Sequence, residues 1–126
     1  MREFVLFITE MLLITAIILS FGLLISEQVL INLSINAVHA LENVDEPQII
    51  LSSRFNKNDR VIIEIADNGH GIKAELMDKI FMPFFTSKKE GSGVGLSLSR
   101  QIMHLHKGNI FVKSVEGKGS VFTLVF

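Results

Sequence analysis

The sequence predicts an α+β fold, in which two β-hairpins build a sheet and separate helices cover it. Three observations carry this. Gln48–Phe55 and Arg60–Ala66 are β-rich runs joined by the turn cluster Asn56-Lys57-Asn58-Asp59. Asn109–Val115 and Ser120–Phe126 form a second such pair across Glu116-Gly117-Lys118-Gly119. Helical periodicity marks Glu27–Leu41 and a stretch ending at His106. Helices set apart from antiparallel hairpins pack on one face of the sheet.

A chain of 126 residues supports one domain with a real core. Its net charge of −1, with both signs mixed, argues against a nucleic-acid partner. With no cysteine there is neither a disulfide framework nor a thiolate metal site.

In chain order, Phe4–Ile25 is apolar on all sides and carries one charge, Glu10. As a helix it would span roughly 30 Å, about a bilayer's hydrocarbon thickness. Glu10 would cost on the order of 2–3 kcal/mol there, which the many Leu, Ile and Phe residues offset. The two readings are a membrane anchor and a strand plus helix within the domain's core. Residues 1–25 are therefore set apart from a domain at 26–126.

Ser26 suits an N-cap for the helix over Glu27–Leu41. Val29, Leu30, Leu33, Ala37, Val38 and Leu41 follow its 3.6 period. Gln28, Asn32 and Asn36 form one polar stripe on it. Asn is a poor helix-interior residue because its side chain competes for backbone bonds. The stripe is either solvated or turns its Asn oxygens to a hard cation or a phosphate-bound water. Magnesium accepts such a shell, one amide oxygen beside phosphate oxygens and waters.

In the second β-run Val61, Ile63 and Ile65 share one face, and Ile62, Glu64 and Ala66 the other. The run ends at Asp67-Asn68-Gly69-His70-Gly71-Ile72. This is either an ordinary turn or a carboxylate at the floor of a cleft, where it accepts from an exocyclic amine such as adenine N6. In the second case the glycines leave room for a flat ring. Lys73–Ile80 reads as a short helix. Phe81–Lys89, with Pro83 and three phenylalanines, reads as a mobile lid. Gly91, Gly93 and Gly95 precede the second helix, so backbone N–H groups approach a phosphate without a Cβ in the way. Gly108 is expected to close that helix as its C′ residue.

These stretches together resemble the ATP-binding catalytic domain of bacterial sensor histidine kinases, in the GHKL or Bergerat-fold ATPase superfamily. QVLINLSINAVHAL is similar to the N box, DNGHGI to the G1 box, and IFMPFFTSKKEGSGVGLSLSRQIMHLHKGNI to the F box, the G2 box and their following helix. GKGSVFTLVF is similar to the last glycine turn and strand. PFFTSK resembles kinases of the nitrogen-regulation type in particular. The resemblance spans Glu27 to Phe126. It implies a two-layer α/β sandwich, with a mixed, largely antiparallel sheet on about three helices and a mobile ATP lid.

The resemblance also implies the site. Asn36 would be the Mg2+ ligand, with Asn32 one turn before it near the γ-phosphate and its water; these two form the catalytic pair. Asp67 would accept from adenine N6, with Gly69, Gly71 and Ile72 around the base. Phe81, Phe84 and Phe85 would anchor the lid, and Phe85 and Thr86 would border the nucleotide. Gly91, Gly93, Val94, Gly95 and Leu96 would cradle the phosphates. Lys88 is either a phosphate contact or a solvated lid lysine. His39, His70, His104 and His106 are read as structural or surface groups. The implied cofactors are ATP and Mg2+.

The implied activity is γ-phosphoryl transfer to a histidine. The phosphoacceptor and dimerisation helices that precede this domain in the family have no counterpart here, so that histidine is expected on a partner chain or a missing domain. A response regulator would follow downstream. Gyrase-like members carry a Glu general base where Asn32 stands, and an amide cannot take a proton from water. A non-catalytic or truncated ATP-binding domain is the alternative. The domain is expected to be cytoplasmic, with inner-membrane attachment through Phe4–Ile25 left open.

Overall fold

The structure is a computed structural model that describes residues 27–88 and 91–126. The readings on Phe4–Ile25 and on the Ser26 cap lie outside the described residues. The elements run α1 (Glu27–Ala40), β1 (Ile49–Phe55), β2 (Val61–Asp67), a 3-10 turn (Ala74–Leu76), α2 (Gly95–Leu105), β3 (Asn109–Val115) and β4 (Gly119–Val125). Both expected hairpins form. They join through the central strands, giving the order β1-β2-β4-β3, and every pairing among the described residues is antiparallel. Ile49 faces Asp67 across β1 and β2, and Asp67 faces Ser120 across β2 and β4.

The apolar alternation of β2 decides which face is covered. Val61, Ile63 and Ile65 turn to the helices and join Leu51, Phe122 and Leu124 in the core. Val29, Leu30, Leu33 and Ala37 of α1 and Met103 of α2 close it from the other layer. Val38, expected on the buried stripe, is instead 58% exposed. At 100° per residue it lies well round the helix from Val29 and Leu33, and with Ile31 and Ile35 it forms an outer apolar stripe.

Two expectations about local structure are corrected. Lys73–Ile80, read as a short helix, is helical only in the 3-10 turn Ala74–Leu76 and makes no α-helix. A run this short does not nucleate one, and its bonds are of the three-residue kind, Leu76 N–H to Lys73 O and Lys79 N–H to Leu76 O. Gly108 is not the left-handed C′ residue of α2. Lys107 takes that place at φ 57. The Lys107 N–H donates to His104 O at 3.0 Å and the Gly108 N–H to Met103 O at 2.8 Å, a Schellman close. Glycine is needed at 108 because a Cβ there would lie 2.5 Å from Val125 O.

Candidate functional site

A cleft of about 710 Å³ opens between α1, the end of β2, the start of α2 and residues 80–88 and 91–93. That volume falls in the range of small-molecule sites. Its floor is the end of the most buried strand. There the Asp67 carboxylate accepts the Gly69 N–H at 2.9 Å. Burial raises its pKa, opposed by hydrogen bonds from the Gly69 and Ser120 amides and by the nearby charge of His70. Ile72, Leu76, Ile80 and Phe122 give this end apolar walls. One carboxylate acceptor among apolar side chains suits a flat ring that bears an amine.

Gly69 and Gly71 serve this end differently from the sequence reading. The room they leave is filled by backbone rather than kept open for a ring. A Cβ on Gly69 would lie 2.2 Å from Ala40 O, and one on Gly71, at φ 68, would lie 2.1 Å from Val115 O. The His70 N–H donates to Ala40 O at 2.9 Å in the same contact. These glycines dock the loop onto the end of α1 and onto the β3–β4 turn. Gly69 itself does not line the cleft.

At the other end, Asn36 and Asn32 part company. The Lys88 ammonium reaches across from the lid, donating to Asn36 Oδ1 at 3.3 Å and meeting His39 Nδ1 at 3.1 Å. Burial lowers the pKa of Lys88. The Asn36 oxygen therefore faces a cation, as a metal ligand must. Among the described residues no cluster of three His, Cys, Asp or Glu could hold a metal. One amide oxygen completed by phosphate and water oxygens suits magnesium, which keeps much of its own hydration. Asn32 borders the cleft but does not offer its oxygen to a cation or a phosphate-bound water as expected. Its Nδ2 donates to Gly95 O at 3.2 Å and Ser99 Oγ at 3.3 Å, while its Oδ1 accepts from Gln28 Nε2 at 2.9 Å.

The lid closes through its backbone. The Phe84 N–H donates to Gly93 O at 2.8 Å. Gly93 sits at φ 70, where a Cβ would lie 2.5 Å from the Phe84 carbonyl carbon. Phe84 is no side-chain anchor. Its ring is 80% exposed and its own φ is 63. Phe81 is the anchor, packed against the core with the Arg100 guanidinium 3.7 Å from its ring centroid. Phe85, Thr86, Gly91, Gly95 and Leu96 line the cleft. Val94 stands outside it as the N-cap of α2, its carbonyl accepting from the Leu98 N–H and from Ser97 Oγ.

His39 and His70, read as structural or surface groups, both border the cleft, whereas His104 and His106 do not. The sequence reading missed Ser120, a buried hydroxyl beside Asp67. It also missed Ser99 and the walls Leu76, Ile80 and Phe122. Small and aliphatic residues in regular elements carry no motif signal, and only the strand register brings Ser120 to Asp67.

Comparison with known proteins gives consistent results. Residues 24–126 match the family of histidine kinase-, DNA gyrase B- and HSP90-like ATPases. The chain is 44% identical over 97 residues to the sensor histidine kinase ZraS of Salmonella typhi, covering 77% of this chain and 20% of that protein. It is 43% identical over 99 residues to the signal transduction histidine-protein kinase AtoS of Escherichia coli K12, covering 79% of this chain and 16% of that one. The nucleotide-free catalytic domain of histidine kinase ThkA superposes with a TM-score of 0.66 at 39% identity, over 79% of this chain and 63% of that chain. The chain thus spans about a fifth or less of the curated relatives' length.

Proposed function

The chain belongs to the histidine kinase-, DNA gyrase B- and HSP90-like ATPase family, and from that premise we propose that its cleft binds Mg-ATP and presents the γ-phosphoryl to a histidine on another domain or chain. The observation that carries this is the convergence of Asp67 at one end of a single cleft with Asn36, Lys88 and the first turn of α2 at the other. Asp67 would accept the adenine amine through the carboxylate oxygen that Gly69 does not use. Ile72 and Gly71 would border the base. The free N–H groups of Gly95 and Leu96, at the positive end of α2, would receive the phosphates. Thr86, Lys88, Gly91 and Gly93 would cover them from the lid, with Lys88 passing from Asn36 to a phosphate oxygen. Asn36 would hold the magnesium, whose chemistry is to neutralise phosphate charge.

No side chain at Asn32 can act as a general base for water. Catalysis therefore rests on positioning and charge neutralisation. That favours transfer to an incoming imidazole over hydrolysis. The acceptor histidine would belong to a phosphotransfer and dimerisation domain, and a response regulator would take the phosphoryl onward. The domain would be residues 26–126. The domain would be cytoplasmic, with Phe4–Ile25 either an attachment to the inner membrane or a strand and helix of the core; among the described residues no helix is long and apolar enough to cross a membrane.

The test is calorimetric titration of Mg-ATP into the full chain, which has no Trp or Tyr to report binding optically. Saturable binding is expected, and the Asn36→Ala variant should bind without response to added magnesium. A folded sample that binds nothing would overturn the proposal and leave an ATP-binding-like interaction domain.

A further inference from the structure

Ser99 is fully buried between α1 and α2. Its Oγ donates to Gly95 O at 2.9 Å and accepts from Asn32 Nδ2 at 3.3 Å. Asn32 Nδ2 also reaches Gly95 O at 3.2 Å. A carbonyl only accepts, so the nitrogen end of the Asn32 amide must face Gly95, and the oxygen end must turn to Gln28. Gly95 is the first residue of α2, one position after the Val94 carbonyl that accepts the first intrahelical bond. Two side chains therefore converge on the carbonyl of the first residue of α2.

As a core residue, Ser99 is a poor choice. Alanine has the higher helix propensity, and a back-bonded serine slightly destabilises a helix. A buried hydroxyl also costs desolvation that a methyl avoids. Yet its partners are the opening carbonyl of α2 and an amide on the helix that carries Asn36.

We propose that Ser99 is a positioning residue: with Asn32 it pins the Gly95 carbonyl and so fixes the first turn of α2 relative to Asn36. This rests on the nucleotide reading of the cleft. It makes Asn32 a staple between helices rather than a group that meets the γ-phosphate or its water. The role belongs to the phosphate end, because the hydrogen bonds of both side chains run to Gly95, to Gln28 and to one another.

The experiment compares the full chain with Ser99→Ala and Asn32→Ala, titrating Mg-ADP by calorimetry and adenosine by ligand-observed NMR. Thermal melts accompany each. Ser99→Ala should melt at or above the parent temperature. Its Mg-ADP affinity should fall roughly five- to tenfold, the equivalent of about one hydrogen bond, while adenosine affinity stays within about twofold. Asn32→Ala should repeat the split, and the double variant should be no weaker than the weaker single one. Equal losses for both ligands, or unchanged Mg-ADP binding in the two single variants, would overturn the role. Should Ser99→Ala not fold, Asn32→Ala carries the same comparison. A parent chain that binds neither ligand would instead overturn the nucleotide reading itself.

Discussion

The two ends of the cleft hold their functional groups by different means. At the floor, Asp67 is the last residue of a central strand, paired to Ile49 on one side and Ser120 on the other. Its loop is fastened by backbone pressed on backbone, at Gly69 against Ala40, at Gly71 against Val115 and at Gly119 against the Asp67 carbonyl. At the lid, the stem shares that backbone contact where Gly93 meets Phe84, and Phe81 is anchored on the core beneath the Arg100 guanidinium, but the tip at Lys88 is held by two polar contacts alone. The floor has one arrangement that its neighbours over-determine. The lid tip at Lys88 has contacts that a ligand can replace one at a time. A base-recognition site gains from the first, and a cover that must admit and release a charged ligand needs the second.

Glycine substitution at the floor should break it outright. Gly69→Ala would drive a Cβ into Ala40 O, a backbone atom that cannot yield. A loss on the order of 3 kcal/mol or more is expected in chemical denaturation. A near-neutral result would show that the floor is as adaptable as the lid.

Asp67→Asn should separate stability from binding. An amide places N–H where the carboxylate accepts, opposing the ring amine, so Mg-ATP affinity should fall roughly 10- to 100-fold by calorimetry. Because burial raises the pKa of Asp67, the fold favours its protonated form. That contribution is present below the ordinary carboxylate range and lost as pH rises through the raised value. The nucleotide-free variant should therefore melt higher than the parent near neutral pH, with the difference shrinking as pH falls into the carboxylate range. A melt that is lower at neutral pH would contradict this.

Effects at the lid should be smaller. Arg100→Gln removes the cation over Phe81 and should cost about 0.5–1 kcal/mol in stability. It should also speed amide exchange in residues 81–88. If exchange speeds up equally in β2, the guanidinium supports the core and not the lid. Gly95→Ala is the counterpart of Gly69→Ala and should show the smallest effect. Its Cβ would lie 3.8 Å from Asn32, an ordinary contact. Denaturation should show a gain of up to roughly 0.5–1 kcal/mol from the better helix former.

Local sequence determined a great deal here. Alternating apolar residues set both hairpins and the buried face of β2. The polar positions 32 and 36 on a helix, the carboxylate before Gly69 and Gly71, and the glycines from 91 to 95 pointed to residues that the structure gathers around one cleft. These are legible because period and turn chemistry act over a few residues. The direction in which a side chain is satisfied is not local. Asn32 is drawn to Gly95, 63 positions away, because an amide beside a buried surface takes the nearest acceptor the packing supplies. Phe84 points outward because the Gly93 contact fixes its backbone, and Ser120 reaches Asp67 through strand register. Gly69 is required by the end of α1 and not by a ligand. Which residues could serve was written in the chain; which atom each presents to the cleft was decided when distant elements packed.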